Sequence, residues 1–177
     1  MLLYDHLYVM AGVCKKMRGG AISSAEEWII KNAWAMNDGF VNEYKYPKLL
    51  KRGKMKECFK NATDTILRVN KKDRKPFDML YAEGFALPNG LIPVHRAWLR
   101  IKVDNKWYTF DPTWRDQEKT KYLGVTFTPD QLMNHSIESG YAGGLLLEPK
   151  YQDIGMYNRK IFDNTLIYTK ESEYVNY

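Results

Sequence analysis

Apolar residues recur at helical intervals in two stretches, within 23–44 and from Cys58 to Val69, and beyond Pro76 the pattern changes to short β-like runs. The run SSAEEWIIKNAWAMNDGFVNEY, residues 23 to 44, opens on Ser24 with Glu27 three positions later, the spacing of a capping box, and brings Trp28, Ile29, Ala33, Trp34 and Met36 round near helical intervals. It predicts a helix. Residues 45 to 56 form a basic connector containing Pro47 and Gly53. From Glu57 the segment CFKNATDTILRVN sets Phe59, Ala62, Ile66 and Val69 along one stripe and Cys58, Ala62, Thr65 and Val69 along an overlapping one, so a second helix starts at or just before Cys58.

After the break KKDRKP three short runs read as strands: FDMLYAEGFAL, VHRAWLRIKV and KWYTFDPTW. Turn signals at Pro88-Asn89-Gly90 and Asp104-Asn105 separate them, and Asp111-Pro112 ends the third. In the middle run His95, Ala97, Leu99, Ile101 and Val103 share one face, the buried one, and Arg96, Trp98, Arg100 and Lys102 share the other. Residues 128 to 177 read as mixed loop and strand, with YAGGLLLEP a bend and KIFDNTLIYTK a further strand or pair. No repeat, linker or low-complexity tract interrupts the chain, which predicts one α+β domain over 1–177, its helices packed on an antiparallel β-sheet.

Composition narrows the class. At 177 residues the chain fits a single core, and 45% apolar with 27% charged residues argues against disorder, collagen-like repeats and membrane proteins. No stretch approaches the roughly 18 to 20 apolar residues of a membrane span. The opening MLLYDHLYVMAGVC carries Asp5 and His6 inside its apolar run and lacks a basic start, so it reads as a folded segment and not a leader, with cytoplasmic as the default location. Cys14 and Cys58 show no metal-ligand spacing; free thiols, no metal and no cofactor are the expectation. Between residues 45 and 75, twelve basic residues face three acidic ones, a local +9 in a chain of +6, which leaves −3 elsewhere. Such a field suits an anionic partner or lowers the pKa of a nearby thiol, and equally describes a solvated lysine-rich face.

A thiol becomes a nucleophile at a helix start, beside a histidine or near positive charge, and Cys58 is placed to have all three. His95, at the start of a strand, is the candidate base, and Asp111, at the end of the next, is the candidate carboxylate to orient it. Taken singly, a buried cysteine, a histidine at a strand end and an Asp-Pro turn are ordinary structural features; their order and context together favour catalysis. His6, His135 and Cys14 lack such company and read as structural.

The pieces ECFKNA, YAEGFA, VHRAW and KWYTFDPTW, over about residues 50 to 115, resemble the transglutaminase-like (papain-like) superfamily of cysteine proteases and acyltransferases. The resemblance implies Cys58 as nucleophile at a helix N-terminus, His95 as general base and Asp111 as orienting carboxylate, at spacings of 37 and then 16 residues. It implies hydrolysis or acyl transfer at a peptide, amide or isopeptide bond of a peptide or protein substrate, without a cofactor. The Cys58 N–H is a natural oxyanion donor. Trp98 and Trp114 are candidate walls of the substrate cleft, against core packing, and Gly84 either admits a substrate backbone or marks a bulge. Where the family has His-Ala-Trp, this chain has His-Arg-Ala-Trp. A two-residue turn at Asp104-Asn105 then puts His95 and Asp111 on opposite faces, so a β-bulge near Arg96 or a three-residue loop is expected to bring them together. The rival expectations are an inactive module of the same fold and a nucleic-acid-binding protein using segment 45–75.

Overall fold

The computed structural model describes residues 5, 25–71, 77–89, 92–147, 158–163 and 165–174. Within them the chain forms α1 (Ala25–Asn32), β1 (Trp34–Ala35), α2 (Cys58–Asn70), β2 (Asp78–Pro88), β3 (Val94–Val103), β4 (Lys106–Phe110), β5 (Thr120–Phe127), α3 (Pro129–Ser139) and α4 (Arg159–Phe162). The strands make a five-stranded sheet in the order β1-β5-β2-β3-β4, and every pair in it is antiparallel. The α+β class with helices on an antiparallel sheet is therefore what the molecule shows.

The β3–β4 hairpin turns through Asp104 and Asn105, both at positive φ (49° and 61°), the conformation that Asn and Asp tolerate best in two-residue hairpins. Leu99 then faces Phe110 and Val103 faces Lys106 without interruption. The β2–β3 ladder runs equally unbroken past Arg96, from Asp78↔Lys102 to Ala86↔Val94. Neither the bulge near Arg96 nor the three-residue loop is present, so the turn's own geometry prevails over the expected realignment.

Both faces of this sheet are covered. One carries Met79, Tyr81, Phe85, Leu99, Ile101, Leu123 and Phe127, and α2 lays Ala62, Ile66 and Val69 on it as the main core. The other carries Ala82, Ala86, Trp98 and Tyr122, closed over by Met36. Burial on both sides explains the long uninterrupted apolar character of β2, whose Met79 to Leu87 are all buried.

Three expectations are corrected. The helix predicted over 23–44 stops at Asn32; Trp34 and Ala35 instead pair with Gly124 and Leu123 of β5, because carrying Met36 to the second core outweighs one more helical turn. The tail contains a helix, α3, opened by a reciprocal capping box in which Thr128 Oγ1 accepts from the Gln131 N–H and the Gln131 side chain accepts from the Thr128 N–H. KIFDNTLIYTK holds the short α4 and no strand among its described residues. The bend expected at YAGGLLLEP does occur over its described part, with Gly143 and Gly144 at φ of 74° and 79°.

Candidate active site

Cys58 is the first residue of α2. The loop before it is pinned: the Gly53 N–H donates to Pro112 O at 2.7 Å, and Asn61 Nδ2 donates to Lys54 O (2.7 Å) and Thr113 Oγ1 (2.9 Å). A side chain at Gly53 would run into the Asn61 amide. Arg52 grips Glu43 and donates to the carbonyls of Asp111 and Trp114. The start of α2 is thus tied to the Asp-Pro-Thr-Trp turn, and the thiol lies over β3, close to the Ala97 N–H. Burial pushes the thiol pKa up. The Ala97 N–H and the charge of Arg96 oppose that, while Asp111 and Glu83 add to it. Of the influences expected to ionise the thiol, the helix start and one cation are in place, and burial outweighs them.

His95 shares the sheet face of Ala97, its ring 5.7 Å from that of Phe59 and 5.6 Å from that of Phe85. Burial pushes its pKa down to about 3. Its Nε2 lies 3.5 Å from Oε1 of Glu83, a carboxylate with no exposure to solvent. Glu83 sits on β2 opposite Ala97. Its Oε1 accepts the N–H groups of Leu146 (3.0 Å) and Leu147 (2.9 Å), and its Oε2 accepts the Leu145 N–H (2.8 Å) and the Tyr81 hydroxyl (2.9 Å). Burial raises its pKa to about 7 against the pull of these donors.

Asp111 lies on the other face. Its carboxylate accepts from Arg96 Nε (2.7 Å) and Nη2 (3.2 Å), from the N–H groups of Thr113 (2.8 Å) and Trp114 (2.9 Å), and from the Tyr122 hydroxyl (3.0 Å). The expected Asp111–His95 pairing is replaced by Asp111–Arg96, because residues adjacent in β3 point to opposite faces. Sequence reasoning passed over Glu83, although an acid inside the apolar strand MLYAEGFAL was a visible signal.

The other candidates also move. Trp98 has no exposure and donates to Met36 Sδ at 3.3 Å, so it is core and not a cleft wall. Trp114 is stacked under Arg96, whose guanidinium carbon is 3.3 Å from the ring centre. It also lines a hollow of about 510 Å³ with Met55, Pro88, Thr113 and Arg115. Gly84 faces β5: a Cβ there would fall 2.2 Å from Leu123 O, so the glycine admits a neighbouring strand, neither a substrate nor a bulge. His135 stands on α3 in a separate hollow of about 230 Å³. Cys14 and His6 lie outside the described residues. In the basic segment, Arg52 and Arg68 are engaged internally and Lys60 pairs with Asp64, whereas Lys45, Lys48, Lys51, Lys54 and Lys56 are exposed.

Among the described residues no group of three or more His, Cys, Asp or Glu side chains is arranged to hold a metal ion, and no helix is long and apolar enough to cross a membrane. No family model matches this chain, and no curated protein and no solved structure is significantly similar to it.

Proposed function

We propose that this protein is a cysteine hydrolase or acyltransferase of the transglutaminase-like kind, acting on an amide, peptide or isopeptide bond, with Cys58 as nucleophile, His95 as base and Glu83 in the orienting role first assigned to Asp111. One observation carries this reading: the buried carboxylate of Glu83 lies 3.5 Å from His95 Nε2 on the sheet face over which α2 holds Cys58. With Nε2–H turned to Glu83, Nδ1 is the basic nitrogen. It takes the Cys58 proton as sulfur attacks the carbonyl carbon, and Glu83 stabilises the resulting imidazolium. The same proton passes to the leaving amine, leaving an acyl thioester on Cys58. Water, deprotonated by His95, or an acceptor amine then releases the acyl group and restores the thiol. The backbone N–H groups at the start of α2 suit the oxyanion.

With the thiol held above and the imidazole below their ordinary ranges, the proton moves to His95 only as sulfur attacks and Glu83 stabilises the imidazolium. With p-nitrophenyl acetate as acyl donor, intact-mass analysis should show one acetyl group on Cys58, none in C58A, and a rate lower by about 100-fold or more in H95N. E83Q should slow acylation strongly and D111N only through stability. Equal acylation of wild type and H95N would overturn the proposal. The raised thiol pKa favours the rival reading, a non-catalytic module of the same architecture, and that outcome would support it. The exposed lysines before Cys58 suit an acidic segment in the substrate.

A further inference from the structure

Glu83 occupies an unusual setting. Four consecutive amides, Gly144 to Leu147, converge on it and on Tyr81: the last three donate to its two oxygens, and the Gly144 N–H donates to Tyr81 Oη at 3.2 Å. Gly143 and Gly144 both take left-handed φ, and this turns the amides of the segment towards one side, as in an anion-binding nest. A Cβ on Gly143 would lie 2.6 Å from Tyr81 Oη and 3.2 Å from Phe59 Cβ, so the segment rests directly on the hydroxyl and on the residue that follows the thiol. Leu145 and Leu146 anchor it in the main core.

We infer that Tyr81 and the Gly144–Leu147 amide run form a positioning assembly that keeps Glu83 ionised beside His95 and so sets the pH above which His95 can accept the Cys58 proton. The inference deepens the reading proposed above and rests on it. The titratable groups facing Glu83 are Tyr81 from its own strand, His95 from β3 and Cys58 from α2; segment 144–147 presents backbone amides. None of these brings a full positive charge while His95 is neutral, so the carboxylate depends on neutral donors for its charge. Burial and the neighbouring carboxylate hold the Tyr81 hydroxyl well above its ordinary range, which leaves it a donor throughout the working pH.

Y81F tests the inference, because it removes one donor and keeps the ring. Two titrations are followed: the pH midpoint of Cys58 acylation by p-nitrophenyl acetate, and the carbon-13 shift of the Glu83 carboxyl. Loss of one hydrogen bond to a charged group should move both midpoints up by about one to two units. A tyrosine that merely fills space would move neither. If wild type acylates Cys58 through His95 and Y81F leaves both midpoints in place, the inference is overturned and the site reading stands. If Cys58 is never acylated yet the Glu83 midpoint rises in Y81F, the electrostatic assembly is supported and the catalytic reading falls. G143A, which must displace the segment, should shift the Glu83 midpoint in the same direction, and an unmoved midpoint in the folded variant counts against the amide run.

Discussion

The two faces of the sheet each bury a carboxylate completely, and they hold it in opposite ways. Asp111 is met by the Arg96 guanidinium in a buried ion pair, together with two backbone N–H groups and a tyrosine. Glu83 is met by three backbone N–H groups and a tyrosine, with the weakly basic His95 beyond. A fixed countercharge makes a structural joint. Neutral donors leave a proton affinity in the middle of the pH scale, which is what a proton relay requires. The Asp-Pro-Thr-Trp turn serves here as a clamp between Arg96, Tyr122 and the loop leading to Cys58.

The largest effect that would break this contrast lies at Arg96, 5% exposed. R96M should cost about 3–5 kcal/mol in urea unfolding by leaving Asp111 buried without its partner. Adding D111N should restore part of that loss, and strict additivity would show that the two are not coupled.

Next comes the pH dependence of stability. Glu83 rises in the folded protein from 4.5 to about 7, so its contribution is full below the ordinary carboxyl range and fades as pH climbs through about 7. His95 falls from 6.5 to about 3, so its contribution is present above 6.5 and is lost as pH drops through about 3. The two slopes oppose each other between 4.5 and 6.5. E83Q removes the first, so urea midpoints across pH should show the variant gaining on wild type with rising pH, by about 3 kcal/mol in all. A constant gap would mean that Glu83 does not titrate there.

The smallest effect is a control away from both carboxylates. T128A should remove one half of the α3 capping box for about 1 kcal/mol, with the acylation pH profile unchanged. A shifted profile would mean that the site senses global stability and not its own donors.

Much of the framework was legible because its causes are local. The start of α2 at Cys58 follows from an apolar stripe, the two-residue turn from Asp104-Asn105, and the division of β3 into a His95 face and an Arg96 face from alternation alone. The start of α3 is equally legible in Thr128, Pro129 and Gln131, a capping box with proline in the first turn. The strand alternation even placed His95 and Asp111 on opposite faces; it was the likeness to a known pattern that called for a bulge. What sequence periodicity alone could not supply was the choice of partners. Glu83 meets His95 only because β2 pairs with β3 in the register Phe85↔His95, and because Leu145 to Leu147, some sixty residues further along the chain, bring their amides back to it. Turns and stripes are set within a few residues of chain, whereas the proton affinity of a buried acid is set by whatever the whole fold packs around it.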